Sequence, residues 1–381
     1  MQKKVMVVFG TRPEAIKMAP VIRALRERPN LRVQVVITAQ HRHMLDQVLR
    51  LFDIAPDVDL DLMRHGQSLD EVLVRACTGV GAAIRNLHPD LVLVHGDTTT
   101  TLAAALAAFH ARVPVGHVEA GLRTDNLDSP WPEEANRRLV TTISRLHFAP
   151  TPHAKDNLVR NGVDERRIFV TGNTVIDALV SVTRQFESQP ASLSSFREAF
   201  SYLDPNKRML LVTGHRRENF GAGFDEVCEA LAQLAQRPDI EIVYPVHLNP
   251  RAREPVRRRL SGLPNVFLVE PLEYAAFAYA MSKAYLIISD SGGVQEEAPS
   301  LGKPVLVTRN LTERPEAVAA GTVKLVGTDG PSLISAATEL LDSPSAYAAM
   351  ATARNPYGDG NAAVKIASVV GEWCSKSTEG R

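Results

Sequence analysis

Short β-branched runs alternate with longer amphipathic ones through the first third of the chain: residues 5–9 then 15–27, 33–38 then 44–52, 91–94 then 98–112, and finally 113–118. Parallel strands need helical crossovers, and they read as continuous apolar runs when both faces of the sheet are covered. The alternation therefore predicts parallel βαβ units. The pattern restarts after a less regular middle, with strands at 209–213, 240–245 and 266–269 and helices near 224–236, 251–260 and 274–281. A chain of 381 residues, 45% hydrophobic, is too long for one typical core. The expected fold class is α/β, with two doubly wound Rossmann-like domains facing a cleft. Breaks near Thr171–Thr174 and at Asn355-Pro356-Tyr357-Gly358-Asp359-Gly360 predict an N-terminal domain over 1–171, joined by a C-terminal helix over 361–381, and a C-terminal domain over 172–360. In such folds ligands lie beyond the carboxyl ends of the strands, so the turns that follow them carry the candidates.

Lys and Arg total 43, as do Asp and Glu, so no overall field is available to hold a nucleic-acid backbone or an anionic membrane, and any anion site must be local. Nucleic acid is not an expected partner. Nor is a membrane: the apolar run over 5–9 is shorter than a signal h-region, and no later run approaches a span. The expected location is the cytoplasm. Cys77, Cys228 and Cys374 are far apart and odd in number, which indicates neither a disulfide framework nor a zinc cluster.

The most informative turn follows Tyr285-Leu286-Ile287-Ile288. Ser289-Asp290-Ser291-Gly292-Gly293-Val294-Gln295-Glu296-Glu297-Ala298 reads as a strand end, a glycine turn and a helix, before Leu301-Gly302-Lys303-Pro304 leads into another strand. Adjacent glycines at a helix start let the backbone approach a ligand, and the free N–H groups and positive dipole end favour phosphate. Glu297, one to two turns on, is placed to accept hydrogen bonds from ribose hydroxyls. Ser-Gly-Gly alone fits an ordinary βαβ turn; the longer pattern points to a nucleotide diphosphate, as in a nucleotide sugar.

Acidic residues gather at the carboxyl edge of the first sheet. Leu91-Val92-Leu93-Val94-His95-Gly96-Asp97 ends one strand, Val115-Gly116-His117-Val118-Glu119 ends the next, and Glu133 and Glu134 follow Ser129-Pro130-Trp131-Pro132 at a helix start. Alternation of extended side chains pairs His95 with Asp97 and His117 with Glu119. Any one of these acids is more often a cap or a solvated loop residue. Three on consecutive elements fit acid–base chemistry, which needs carboxyl groups in different environments. The two His/acid pairs also have the ligand types of a divalent-metal cage, a weaker reading because spacing alone is weak and the glycine turn accounts for an anion without a cation. No metal is expected. Arg12, in the turn of Phe9-Gly10-Thr11-Arg12-Pro13-Glu14-Ala15-Ile16-Lys17, and Lys17 about one helical turn on add positive charge. His215, after a strand and Gly214, begins the corresponding turn of the second domain and is placed to donate to a leaving diphosphate, its plainer role being a cap. His247 has the same geometry, whereas His41 and His43 read as capping or solvated. Gly79-Val80-Gly81 and Gly221-Ala222-Gly223 do not complete a dinucleotide fingerprint, so neither a nicotinamide nor any other cofactor is expected.

These motifs run from Phe9-Gly10-Thr11-Arg12-Pro13-Glu14 through His95-Gly96-Asp97-Thr98, Glu119-Ala120-Gly121-Leu122-Arg123 and Pro132-Glu133-Glu134-Ala135-Asn136-Arg137. Gly214-His215-Arg216-Arg217-Glu218, Asp290-Ser291-Gly292-Gly293 and the Asn355–Gly360 segment complete the series. Over nearly the whole chain they closely resemble the non-hydrolysing UDP-N-acetylglucosamine 2-epimerases. The resemblance implies a two-domain glycosyltransferase-B-like fold, a homodimer, and an isomerase that interconverts UDP-GlcNAc and UDP-ManNAc for bacterial surface polysaccharide. It implies Asp97, Glu119 and Glu133 as acid–base carboxylates and His215 as the group next to the diphosphate. Ser291, Gly292, Gly293 and Glu297 would bind UDP, with Arg12, Lys17, Phe277 and Arg314 as further contacts. Some bacterial members bind a second UDP-GlcNAc as an activator; the matching positions here are Gln40, Glu133, Arg216 and His247, with His43 where some of those members have glutamine. The competing readings are a glycosyltransferase, which shares the fold and nucleotide site but needs an acceptor surface, a non-catalytic nucleotide-sugar sensor, and a hydrolysing relative that releases ManNAc and UDP.

Overall fold

The computed structural model describes residues 2–39, 42–62, 64, 66–188, 190–214, 216, 219 and 221–376, with side chains described at all of these but 42, 43, 187, 188 and 190–192. The chain divides into two compact units, one formed by Met1–Ala178 with Tyr357–Arg381 and the other by Leu179–Pro356.

In the first unit β1 (Lys3–Phe9), β2 (Leu31–Ile37), β3 (Val58–Asp59), β4 (Leu91–His95), β5 (Val115–Val118), β6 (Leu146–Ala149) and β7 (Ile168–Val170) form one sheet. They alternate with α1 (Arg12–Arg26), α2 (Arg42–Leu51), α3 (Leu69–Leu87), α4 (Thr99–His110), α5 (Glu133–Ile143) and α6 (Pro152–Arg160). All neighbouring strands pair in parallel, in the order β3-β2-β1-β4-β5-β6-β7. The order reverses between β1 and β4, where Val5 lies opposite Leu91 and Val7 opposite Leu93. The crossovers diverge there, which leaves a crevice at the carboxyl ends of these two strands.

Helices on both faces explain why β4 is buried at every position. Met6, Val8, Val92 and Val94 share one core cluster with Ala104, Ala105 and Ala108 of α4. Alanine lets α4 lie close to the sheet while α3 and α5 pack on its flanks, so the helix is buried on nearly all sides. The strand predicted over 113–118 begins only at Val115, because the Val113 N–H bonds back to Ala108 O at 2.9 Å and closes α4.

The chain passes into the second unit within α7 (Thr174–Ser188). There α8 (Pro190–Ala199) precedes β8 (Arg208–Thr213), α9 (Ala222–Leu234), β9 (Ile240–Pro245), α10 (Pro250–Leu260), β10 (Val266–Val269), α11 (Tyr274–Lys283) and β11 (Leu286–Ser289). Then come α12 (Gly292–Glu297), β12 (Val305–Val307), α13 (Pro315–Ala319), β13 (Val323–Leu325), α14 (Gly330–Asp342) and α15 (Pro344–Ala351). The six strands are parallel in the order β10-β9-β8-β11-β12-β13, so this sheet reverses between β8 and β11. Leu210, Val212, Ile242, Tyr244, Ile288 and Leu306 join Phe224, Cys228 and Leu231 of α9 in its core.

The chain then returns to the first unit, where α16 (Ala362–Lys376) packs on α1. Asp177, buried near the start of α7, caps it by accepting hydrogen bonds from Ala362 N at 3.2 Å and Ala363 N at 2.8 Å. Burial pushes that carboxyl above its ordinary range. Among the described residues no helix is long and apolar enough to cross a membrane.

Candidate active site

At the first reversal point, β1 runs out into Gly10. A Cβ there would lie 2.1 Å from Thr38 Oγ1 and 2.6 Å from Thr100 Oγ1, so the close approach of these elements requires glycine. Glu14, 2% exposed, sits beneath the turn. Its Oε2 accepts hydrogen bonds from Gly10 N (3.1 Å), Thr11 N (2.8 Å) and Thr11 Oγ1 (2.7 Å); its Oε1 accepts from Thr98 Oγ1 (2.7 Å) and Thr101 Oγ1 (3.0 Å). One buried carboxylate thereby ties the turn after β1 to the start of α4. Arg12 opens α1 at that turn, half-buried, its Nη1 4.0 Å from Met44 Sδ.

Two acidic side chains lie at this edge, but not in the pairs that strand alternation predicts. β4 ends at His95 and β5 at Val118; Gly96 (φ 69°) and Glu119 (φ 63°) then take left-handed backbone. This breaks the alternation at the residues that mattered. Glu119 consequently lies beside His95, 3.8 Å from its Nε2, and is bound by Lys17 Nζ and by Asn173 Nδ2, the latter at 2.9 Å. His117 instead donates from Nε2 to Gly96 O at 2.7 Å, beneath the turn. Asp97 is held by Arg137, and its backbone carbonyl accepts from Asn136 Nδ2 at 2.9 Å. The metal-cage reading loses its geometry, and among the described residues no group of three or more His, Cys, Asp or Glu side chains gathers to hold an ion.

A non-glycine residue in left-handed backbone costs about 1 kcal/mol or more, and the bonds from Lys17 and Asn173 hold Glu119 there. Both histidines are neutral: burial draws His95 below its usual range against the nearby charge of Glu119, and burial takes His117 down to about 3. Glu133 and Glu134 begin α5 with different fates. Glu134 is fully buried and accepts from Arg137 (3.2 Å), Arg138 (2.8 Å) and Thr124 N (3.1 Å). Glu133 is half-buried and makes no hydrogen bond or ion pair with a described residue.

The second reversal point is built similarly in the other unit. Thr213 Oγ1 and Ser289 Oγ, at the ends of β8 and β11, lie 2.6 Å apart, and Ser289 Oγ accepts from Ser291 N at 3.0 Å. Asp290 is fully buried and accepts from Arg216 N at 2.8 Å, which fixes the turn after β8 against that after β11. Arg314 reaches over the start of α12: a Cβ on Gly292 would lie 3.1 Å from its Cζ, and its Nε donates to Glu296 at 3.0 Å. Glu297 is buried and accepts from Tyr274 OH at 2.9 Å; a Cβ on Gly293 would lie 3.6 Å from its Oε2. Ser291, Gly292, Gly293, Glu297 and Arg314 therefore form one cluster. Phe277 is half-buried on α11, one turn after Tyr274. His247 is exposed ahead of α10, its Nδ1 accepting from Asn249 N at 3.1 Å. Gln40, His41, His215 and the side chain of His43 lie outside the described residues.

Sequence reasoning did not single out Glu14, Asn136, Arg137, Asn173 and Tyr274 for these contacts. Thr11-x-x-Glu14 carries a capping-box signal that marks Glu14. Asn173 carries none, being 54 positions from Glu119.

Residues 23–371 match the family model described as UDP-N-acetylglucosamine 2-epimerase. The chain is 57% identical over 364 residues to the UDP-N-acetylglucosamine 2-epimerase of Escherichia coli strain K12, an alignment covering 95% of this chain and 97% of that one. Its fold is similar to the crystal structure of UDP-GlcNAc 2-epimerase from Neisseria meningitidis bound to UDP-GlcNAc, with a TM-score of 0.90 and 52% identity over 96% of this chain and 99% of that one. It is also similar to the Methanocaldococcus jannaschii UDP-GlcNAc 2-epimerase in complex with UDP-GlcNAc and UDP, with a TM-score of 0.80 and 33% identity over 96% and 99% of the two chains. The two α/β units agree with the glycosyltransferase-B-like class expected from sequence. A family match across most of the chain and high identity over nearly its full length make this protein a member of the UDP-N-acetylglucosamine 2-epimerase family.

Proposed function

We propose that the chain interconverts UDP-N-acetylglucosamine and UDP-N-acetylmannosamine by eliminating UDP and adding it back. Epimerisation of UDP-GlcNAc, and so membership of the isomerases, rests on the family relation. The observation that supports the mechanism is that Asp97 and Glu119, which follow the adjacent strands β4 and β5 at the carboxyl edge of the first sheet, are each held by a cation of their own.

The hydrogen on C2 of the sugar is not next to a carbonyl and is barely acidic. As the C1–O bond breaks, UDP leaves with the bonding electrons and positive charge grows at C1. A carboxylate takes the C2 proton, the electrons of that C–H bond form a C1–C2 double bond, and a 2-acetamidoglucal results. A proton delivered to the opposite face of C2 and re-addition of UDP at C1 give the epimer. Two faces call for more than one proton-transfer group, and Asp97, Glu119 and Glu133 offer three carboxyls in three settings: on an arginine, on a lysine and unpaired among the described residues. Lys17 and Asn173 fix the orientation of Glu119, a service to geometry that proton transfer over short distances requires.

The UDP site is assigned to Ser291, Gly292, Gly293, Glu297 and Arg314, with Phe277 and Arg12 as further contacts and His215 donating to the departing diphosphate. Lys17 is assigned to the same anion as well as to Glu119. Gln40, His43, Arg216 and His247 are the residues assigned to an activator molecule of UDP-GlcNAc. The active form is a cytoplasmic homodimer; exposed Val74, Phe109 and Leu139, on three helices that pack side by side, support an apolar contact between copies.

The test of the mechanism is solvent deuterium. Proton NMR of UDP-GlcNAc incubated in heavy water is expected to show label at C2 in both epimers; turnover without label would exclude elimination. Incubation with UDP-GlcNAc alone also separates the alternatives, because a glycosyltransferase leaves the configuration unchanged and a hydrolase accumulates UDP.

A further inference from the structure

A cavity of about 430 Å3 opens at the carboxyl end of α5, the end remote from Glu133. Its walls include three guanidinium groups, Arg123, Arg138 and Arg167, and a single carboxylate, Asp164. Asp164 is already paired with Arg166 at 2.6 Å. Arg123 spends its donors on neutral oxygens: Nε on Asn161 Oδ1 (2.8 Å), Nη1 on Leu122 O (2.7 Å) and Nη2 on Thr141 Oγ1 (3.1 Å). The exposed Arg167 side chain makes no hydrogen bond or ion pair with a described residue. Only Arg138 has carboxylate partners, Glu134 at 2.8 Å and Asp125 at 3.0 Å.

Burial shifts the titrating groups of this wall, and the arginine charges add to it. Burial, with Arg137 and Arg138 nearby, brings the Arg123 guanidinium down to about 10 in spite of Glu134. His147, which lines the cavity and is 1% exposed, falls to about 4, chiefly through burial and then through the fields of Arg167 and Arg123. One of its ring nitrogens bonds to the Ser144 backbone, and Nδ1 has no partner among the described residues. The carboxyl ends of α5 and α6 border the cavity and oppose an anion, but each carries only about half a charge. Arg138 is matched by Glu134 and Asp125, and Asp164 by Arg166, which leaves Arg123 and Arg167 as the guanidiniums of the cavity without a carboxylate partner among the described residues.

We propose that this cavity binds a small oxyanion of two or more negative charges, a phosphate ester or a polycarboxylate, gripped by Arg123, Arg138 and Arg167, with a hydroxyl of the ligand donating to His147 Nδ1. The planar guanidinium fork matches both anion types, and the cavity has the size of a small-molecule site. Occupancy is coupled to the other end of α5. Arg138 shares Glu134 with Arg137, and Arg137 holds Asp97, so an anion that draws on Arg138 redistributes the charge that positions Asp97. That consequence rests on the catalytic role proposed for Asp97; the binding itself does not.

The experiment is calorimetric titration of the full chain, kept saturated with UDP so that the nucleotide site is filled. Inorganic phosphate and citrate are titrated separately, against sodium chloride at matched ionic strength. Saturable binding of one probe or both, at one per chain, is expected, and the probe that binds identifies the ligand class. Arg167→Gln, which breaks no side-chain hydrogen bond or ion pair among the described residues, should weaken it about tenfold or more and leave basal turnover unchanged; Arg123→Lys, which keeps the charge and loses the fork, should weaken it as well. No saturable binding of either probe, equal affinity in wild type and both variants, or binding that disappears when UDP is added would each overturn the proposal.

Discussion

His117 offers a direct measurement of what the first unit gains from burying a neutral imidazole. The ring is 0% exposed, donates to Gly96 O at 2.7 Å, and has its pKa drawn down to about 3. In the unfolded chain the same group titrates near 6.5. The unfolded state therefore binds the proton first, so this contribution to stability is fully present above about pH 6.5 and is lost progressively as the pH falls toward 3. Linkage over that interval puts the loss at about 2 kcal/mol by about pH 5, as an order of magnitude. His117→Gln keeps a donor for Gly96 O and cannot titrate. Both tryptophans, Trp131 and Trp373, belong to the first unit, so their emission in urea titrations follows that unit. Between about pH 7.5 and 5 the wild type should lose about 2 kcal/mol more than the variant, even though His95 and His147 still titrate in both. Parallel pH profiles for the two proteins would refute the reasoning.

Other substitutions probe the two edges separately. Asp97→Asn and Glu119→Gln should each lower kcat by about a hundredfold or more while UDP affinity measured by calorimetry scarcely changes; unaltered turnover in either removes that residue from the chemistry. Glu297→Ala should weaken UDP binding by about tenfold or more, and an unchanged dissociation constant would reject its contact with the ribose. Glu14→Ala strips three buried donors, Gly10 N, Thr11 N and the Thr11 hydroxyl, of their acceptor, while the Thr101 hydroxyl keeps His95 O, and should destabilise the first unit by about 3 kcal/mol. Glu14→Gln should cost less, since the hydroxyls of Thr98 and Thr101 can turn to accept from the amide; an alanine variant as stable as the glutamine one would contradict this account.

Fold class was legible because it rests on runs such as residues 91–94, apolar throughout and followed within a few residues by a threonine-capped helix. β6 and β7, four and three residues long, are too short to show a period and fell within a stretch that read as irregular. The adjacency of β1 and β4, which creates the crevice, is a long-range pairing that no local pattern encodes. At the site, the acid-bearing motifs were readable, but their partners were not. Period-two logic holds only while the backbone stays extended, and it failed one residue past each strand, at Gly96 and Glu119. Asp97 thus meets Arg137 on α5, while Glu119 meets Lys17 on α1, contacts set by how helices lie across the sheet.

The cap that Asp177 places on α16 has a consequence for synthesis of the protein. The helix that covers α1 is made long after the sheet it completes, with all of 179–356 translated in between. The inserted unit can acquire its structure while still tethered to the ribosome, whereas the unit begun first must wait, partly uncovered, until residue 376 has emerged. Nascent chains stalled before Ala362 should therefore engage chaperones through the bare flank of α1.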